Sequence, residues 1–168
     1  MSESAKSSRW RAPDEVVEVR LTLNGAPGTL KAKPRWSLAD ALRESGLTGT
    51  HLGCEHGVCG ACTVLLDDEP VRSCLVLAVQ AEDARIETVE ALADGDLLHP
   101  VQRAFQEERG LQCGFCTPGF VVLAAWLLRH EPTADEARIR DVLSSNLCRC
   151  TGYTPIVAAV MSARGQTP

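Results

Sequence analysis

The stretch Gly53-Cys54-Glu55-His56-Gly57-Val58-Cys59-Gly60-Ala61-Cys62-Thr63-Val64 places three cysteines at Cys-x4-Cys-x2-Cys spacing, and Cys74 follows a short way on. A loop that wraps four sulfurs around one inorganic core must fold tightly and aim its amide N–H groups inward. Gly53, Gly57, Gly60 and Ala61 have no bulky side chain to prevent that. Hydrogen bonds to the sulfurs and access of solvent then tune such a core.

Outward from this loop, the remaining cysteines form a second quartet. Cys113-x2-Cys116 comes first, and Cys148-x-Cys150 follows after a long interval, so none of the eight is left over. Two sets of four thiolates are what two [2Fe–2S] clusters require, because each iron takes two cysteine sulfurs and soft sulfur suits iron. The spacing of the first run is that of plant-type ferredoxins, but Cys74 lies much closer to Cys62 than the fourth ligand of that plan. Cys113 and Cys116 span the start of a helix opening at Thr117-Pro118, where the positive helix end suits thiolates. Cys148-Arg149-Cys150 falls on a loop between the last two helices. Zinc is the competing metal, but zinc ribbons repeat Cys-x2-Cys, and Cys-x-Cys fits that pattern poorly.

Composition narrows the class. The 168 residues suffice for one domain or two small ones, and 45% hydrophobic with only 4% aromatic residues implies a core of Val, Leu and Ala. A net charge of −5 without any polybasic run argues against a nucleic-acid partner. The start, Met1-Ser2-Glu3-Ser4-Ala5-Lys6, has no apolar region of a signal peptide, and the longest apolar run, Phe120 to Leu128, is too short to span a membrane. The expectation is a soluble cytoplasmic chain, whose reduced thiols bind metal rather than pair as disulfides.

The chain divides by pattern. Residues 1–14 read as a flexible polar tail. Residues 15–90 read as a small sheet packed on one helix. Val16 to Leu23 alternates as a half-buried strand, Asn24-Gly25 turns, and Gly28 to Lys33 returns. Ser37 caps a helix over Leu38–Glu44 that ends at Gly46. Thr63–Asp67 is a strand, Asp68-Glu69 its turn, and Arg85–Val89 the last strand. Residues 91–168 are helical, with helices over His99–Glu108, Pro118–Arg129, Thr133–Leu143 and Pro155–Ala163. Thr133 with Glu136 forms a capping-box pattern. The boundary falls within Glu90–Leu98, one quartet to each side, and the fold class is α+β.

Three motifs carry a resemblance. Gly53 to Val64, Gln112-Cys113-Gly114-Phe115-Cys116-Thr117-Pro118-Gly119 and Asn146-Leu147-Cys148-Arg149-Cys150-Thr151-Gly152-Tyr153 resemble the iron–sulfur subunit of the molybdenum hydroxylases, the xanthine oxidase family. The likeness runs from about Val16 to Val160. It implies an N-terminal ferredoxin-like β-grasp domain and a C-terminal four-helix bundle domain, each binding one [2Fe–2S] cluster. It implies a large molybdopterin-binding subunit, a medium FAD-binding subunit, and a dimer of heterotrimers. Electrons would pass singly from the molybdopterin, through the Cys113/Cys116/Cys148/Cys150 cluster and then the Cys54/Cys59/Cys62/Cys74 cluster, to FAD. Gln112 and Cys150 would lie at the partner's pterin. No residue of this chain needs to act as acid, base or nucleophile, and the substrate site lies on the partner.

Other residues invite a role. His51 and His56 flank the first quartet, but four cysteines already satisfy a cluster. His99 and His130 read as surface residues at helix ends, Trp36 and Trp126 as packing, and Asp67-Asp68-Glu69 as a solvated turn. Arg149 is read either as a counter-charge or as solvent-exposed, and Phe115 either as a shield for the second cluster or as core. A free-standing two-cluster carrier is the rival reading. A redox-sensing regulator lacks a DNA-binding element.

Overall fold

The structure, a computed structural model, describes residues 12–166. Residues 1–11 of the expected tail lie outside the described residues. At its inner end, Asp14 pairs with Arg35 at 3.0 Å and Lys33 at 3.3 Å.

Strands β1 (Val17–Leu23) and β2 (Ala26–Ala32) pair antiparallel from Val17↔Ala32 to Leu23↔Ala26. Asn24 and Gly25 join them at φ 52° and 82°, the left-handed pair that matches strand twist in a two-residue hairpin. Alternation then turns Val19, Leu21, Leu30 and Ala32 into the core. Helix α1 (Leu38–Glu44) lies over them. The Ser37 hydroxyl accepts from the Asp40 amide, and the Asp40 carboxylate accepts from the Ser37 amide, both at 3.1 Å. Leu38, Ala41 and Leu42 fill the space beneath.

Strands β3 (Thr63–Leu66), β4 (Glu69–Arg72) and β5 (Arg85–Glu87) complete a five-stranded mixed sheet in the order β2-β1-β5-β3-β4. Three boundaries differ from the sequence expectation. The β3–β4 turn is Asp67-Asp68, at φ 49° and 71°, because two short acidic residues tolerate the left-handed region. Glu69 therefore begins a strand that Pro70 disguised, and its place at the edge of the sheet explains why proline is tolerated. Strand β5 stops at Glu87, where a single 3-10 turn over Val89–Ala91 takes over.

Four helices follow: α2 (Pro100–Glu107), α3 (Thr117–His130), α4 (Glu136–Leu143) and α5 (Tyr153–Ala163). Helix α4 is capped by Asp135, whose carboxylate accepts from the Arg138 amide at 2.8 Å; Thr133 is not its cap. Its start is thus two residues later than the Thr133–Glu136 pattern implies. The buried apolar residues gather in two clusters, one built from residues 19–86 and one from 101–163.

Helix α3 is buried on nearly every side and packs against α2 and α4 as well as β3 and β4. Its polar last turn meets the β3–β4 turn. Trp126 Nε1 donates to the Asp68 carbonyl at 2.9 Å, and Arg129 pairs with Asp68 at 3.1 Å and Glu87 at 3.2 Å. His130 Nε2 lies 3.2 Å from the same Asp68. The acidic turn is solvated, as expected, and through Asp68 it also fastens the sheet to the helices. No helix among the described residues is long and apolar enough to cross a membrane.

Candidate metal centres

The first quartet sits on the loop between α1 and β3, with Cys74 on the single 3-10 turn Ser73–Leu75 that follows β4. Glu55, Gly57 and Gly60 take φ of 57°, 77° and 71°, which coils the loop and turns its amides inward. The amides of Cys59 and His56 donate to Cys54 Sγ at 3.4 and 3.5 Å. Those donors, Cys59 first, pull the Cys54 thiol down to about 6. Burial acts the other way on Cys59 and on Cys74, which is pushed up to about 11. Cys54 lies against Cys59, and Cys62 against Cys74. What brings Cys74 to the loop is Ser73. It is fully buried, and its hydroxyl donates to the Cys62 carbonyl at 2.6 Å.

The second quartet joins two helix entrances. Cys113 and Cys116 bracket Gly114, at φ 82°, ahead of α3, while Cys148 and Cys150 precede α5. Gly152 N donates to Cys148 Sγ at 3.3 Å, and Tyr153 Oη accepts from the Cys148 amide at 2.9 Å. Cys113, exposed, is lowered by the Phe115 amide, whereas burial pushes Cys116 up to about 12. Cys113 lies against Cys150, and Cys116 against Cys148. These four residues, with Gln112, Gly152 and Ile156, line one small pocket. Gln112 Nε2 donates to the Cys150 carbonyl at 3.4 Å, so the two residues expected at the pterin are neighbours.

The quartets also grip each other. Leu147 N donates to the Cys59 carbonyl at 2.8 Å, and Asn146 Nδ2 to the Gly60 carbonyl at 3.3 Å. His51 Nδ1 donates to the Phe115 carbonyl at 2.7 Å, with the two rings stacked at 4.8 Å. Phe115, 47% exposed, is not core, and its ring lies against the first loop. A β-carbon on Gly53 would lie 3.2 Å from the Phe115 ring and 3.3 Å from Cys59 Sγ. None of these cross-contacts is visible in spacing alone. The glycines at 53, 60 and 119 are the sequence signal that could have suggested them.

The donor chemistry fits [2Fe–2S] clusters. All eight thiols are free of disulfides. The thiols meet in pairs, Cys54 with Cys59, Cys62 with Cys74, Cys113 with Cys150 and Cys116 with Cys148, which suits a core that takes two sulfurs on each iron. The buried Thr117 hydroxyl, directly after Cys116, has no partner, and an acceptor-rich core beside it would provide one. The unpartnered Asn146 Oδ1 is not explained that way. His51 is engaged by Phe115, and Arg149 is exposed. His99 departs from expectation: it caps α2 through Nδ1, which accepts from Val101 N at 3.2 Å.

Comparison with known proteins agrees with this geometry. Residues 21–98 match the 2Fe-2S iron-sulfur cluster binding domain and residues 88–161 the [2Fe-2S] binding domain. The chain is 51% identical to the nicotine 6-hydroxylase small subunit of Paenarthrobacter nicotinovorans, covering 92% of this chain and 94% of that one. It is 52% identical to caffeine dehydrogenase subunit gamma of Pseudomonas sp. (strain CBB1), over 89% and 92%. Among solved structures, quinoline 2-oxidoreductase from Pseudomonas putida 86 superposes with a TM-score of 0.84 at 48% identity, over 91% of this chain and 99% of that one.

Proposed function

The chain belongs to the iron–sulfur small subunits of the molybdenum hydroxylases, and from that membership we propose that it is the electron-transfer subunit of a molybdenum- and FAD-containing dehydrogenase. Cys113, Cys116, Cys148 and Cys150 hold one [2Fe–2S] cluster, and Cys54, Cys59, Cys62 and Cys74 the other. The clusters supply one-electron steps between the two-electron chemistry of a molybdopterin and that of a flavin.

The observation that carries this reading is the hydrogen bond from Leu147 N to the Cys59 carbonyl at 2.8 Å. It joins the residue before Cys148 to a cysteine of the other quartet, so the two sites adjoin at one seam. Exposed apolar residues also stand beside each in sequence, Leu111 before Cys113 and Val58, Leu75 and Leu77 next to Cys59 and Cys74. Such surfaces suit two neighbours: a large molybdopterin-binding subunit at the second quartet, where Gln112 and Cys150 meet the pterin, and a medium FAD-binding subunit at the first. Electrons then enter at the second quartet and leave at the first.

We place a β-grasp domain over 15–90 and a helical domain over 91–168; the two separate cores support that division. A dimer of such heterotrimers in the cytoplasm is the assembly proposed. Nicotine, caffeine and quinoline, the compounds named in relatives 48–52% identical to this chain, favour an N-heterocyclic substrate on the molybdenum partner.

Cys113→Ser tests the order. Substrate-driven reduction of the flavin should be lost while the first cluster remains assembled. Flavin reduction at the wild-type rate would contradict the route.

A further inference from the structure

We propose that Arg72 is a positioning residue that locks the two cysteine loops together and, as a cation held by neutral acceptors, keeps the first cluster at a higher reduction potential; this rests on the electron-transfer reading. The half-buried guanidinium bridges the seam. Its Nη1 donates to Thr63 Oγ1 at 2.5 Å, and its Nη2 to the Ser145 carbonyl at 2.7 Å. The Thr63 hydroxyl passes the interaction on, donating to the Gly60 carbonyl at 2.6 Å. That carbonyl also receives Asn146 Nδ2. Arg72, Thr63, Gly60 and Asn146 thus form one polar chain from β4 through the first loop to the approach of Cys148.

The charge matters as much as the bridge. Arginine stays protonated in any protein environment, and its planar fork reaches two acceptors that a lysine ammonium cannot span alike. Both acceptors here are neutral, whereas Arg129, Arg138 and Arg140 each meet a carboxylate. Thr63 directly follows Cys62, and Arg72 stands two residues before Cys74. The positive charge therefore rests on neutral acceptors, one of them at the residue that follows Cys62. Reduction adds a negative charge to the first cluster, and a partly buried cation nearby favours it more than one in open water would. Ser145 is three residues before Cys148, so the same guanidinium also holds the approach to the second quartet.

The experiment is an EPR-monitored redox titration of both clusters in the assembled complex, for wild type, Arg72→Lys and Arg72→Met. Arg72→Met should move the first cluster to a more negative potential and the second by a smaller amount, whereas Arg72→Lys should keep most of the first cluster's potential. If Arg72→Met loses iron, Arg72→Gln carries the same comparison, because it removes the charge and keeps a donor. An unchanged first-cluster potential in the neutral variant overturns the proposal, as does a Lys variant that shifts as far as the neutral one. The potentials are read without substrate or flavin turnover, so either failure leaves the electron-transfer reading standing. Absence of two distinct clusters in wild type would instead sink that reading.

Discussion

Gly60 lies directly beneath Asn146, so close that a β-carbon at Gly60 would collide with the amide oxygen of Asn146. The backbone there is left-handed as well, at φ 71°. Alanine at this position meets both penalties, and the left-handed strain alone is roughly 1–3 kcal/mol. Gly60→Ala should lower the melting temperature and reduce iron retained per chain. Gly28→Ala, where the nearest atom would sit 3.4 Å away, serves as the comparison. Equal melting and iron content in the two variants would contradict the close seam.

The cap of α4 separates structure from pattern. Asp135→Ala should destabilise the chain by about 1 kcal/mol, whereas Thr133→Ala should be nearly neutral. Chemical denaturation reads both. A larger loss for Thr133→Ala would restore the capping box expected from Thr133 and Glu136.

His99 gives the chain an acid-sensitive helix start. Burial first, and then the nearby Arg129, hold its pKa below the usual 6.5. The neutral ring accepts from Val101 N, and a proton on Nδ1 ends that bond. Because the folded value lies below the unfolded one, the unfolded chain takes up the proton first. The stabilisation is complete above about 6.5 and is lost as the pH falls below it. His99→Asn keeps a capping acceptor that does not titrate, so its melting temperature should fall less between about pH 7.5 and pH 5 than that of the wild type. Parallel declines would remove His99 from the account.

Gln112 touches the second quartet through the Cys150 carbonyl. Gln112→Ala should alter the EPR spectrum of the cluster at Cys113, Cys116, Cys148 and Cys150 far more than that of the other. Equal perturbation of both would withdraw Gln112 from the pterin side.

Much of this was legible in the residues because local chemistry decided it. Asn24-Gly25 turned the first hairpin and Ser37 with Asp40 opened α1, each by bonds within a few residues. The cysteine spacing announced two quartets. Relations between distant residues were hidden. Ser73 draws Cys74 to Cys62, Arg72 reaches Ser145, and Phe115 lies on His51, and no short-range pattern encodes those meetings. Strand β4 has no such local signature because it is short and contains Pro70, at an edge position that only the completed sheet reveals.

The most direct test of the whole account is the iron, acid-labile sulfide, molybdenum and flavin content of the complex that carries this chain, purified from its native host. The account predicts four irons and four sulfides per chain, as two [2Fe–2S] clusters require, with molybdenum and FAD present in amounts equal to the chain. Zinc in place of iron, or a full iron complement with neither molybdenum nor flavin, would contradict it.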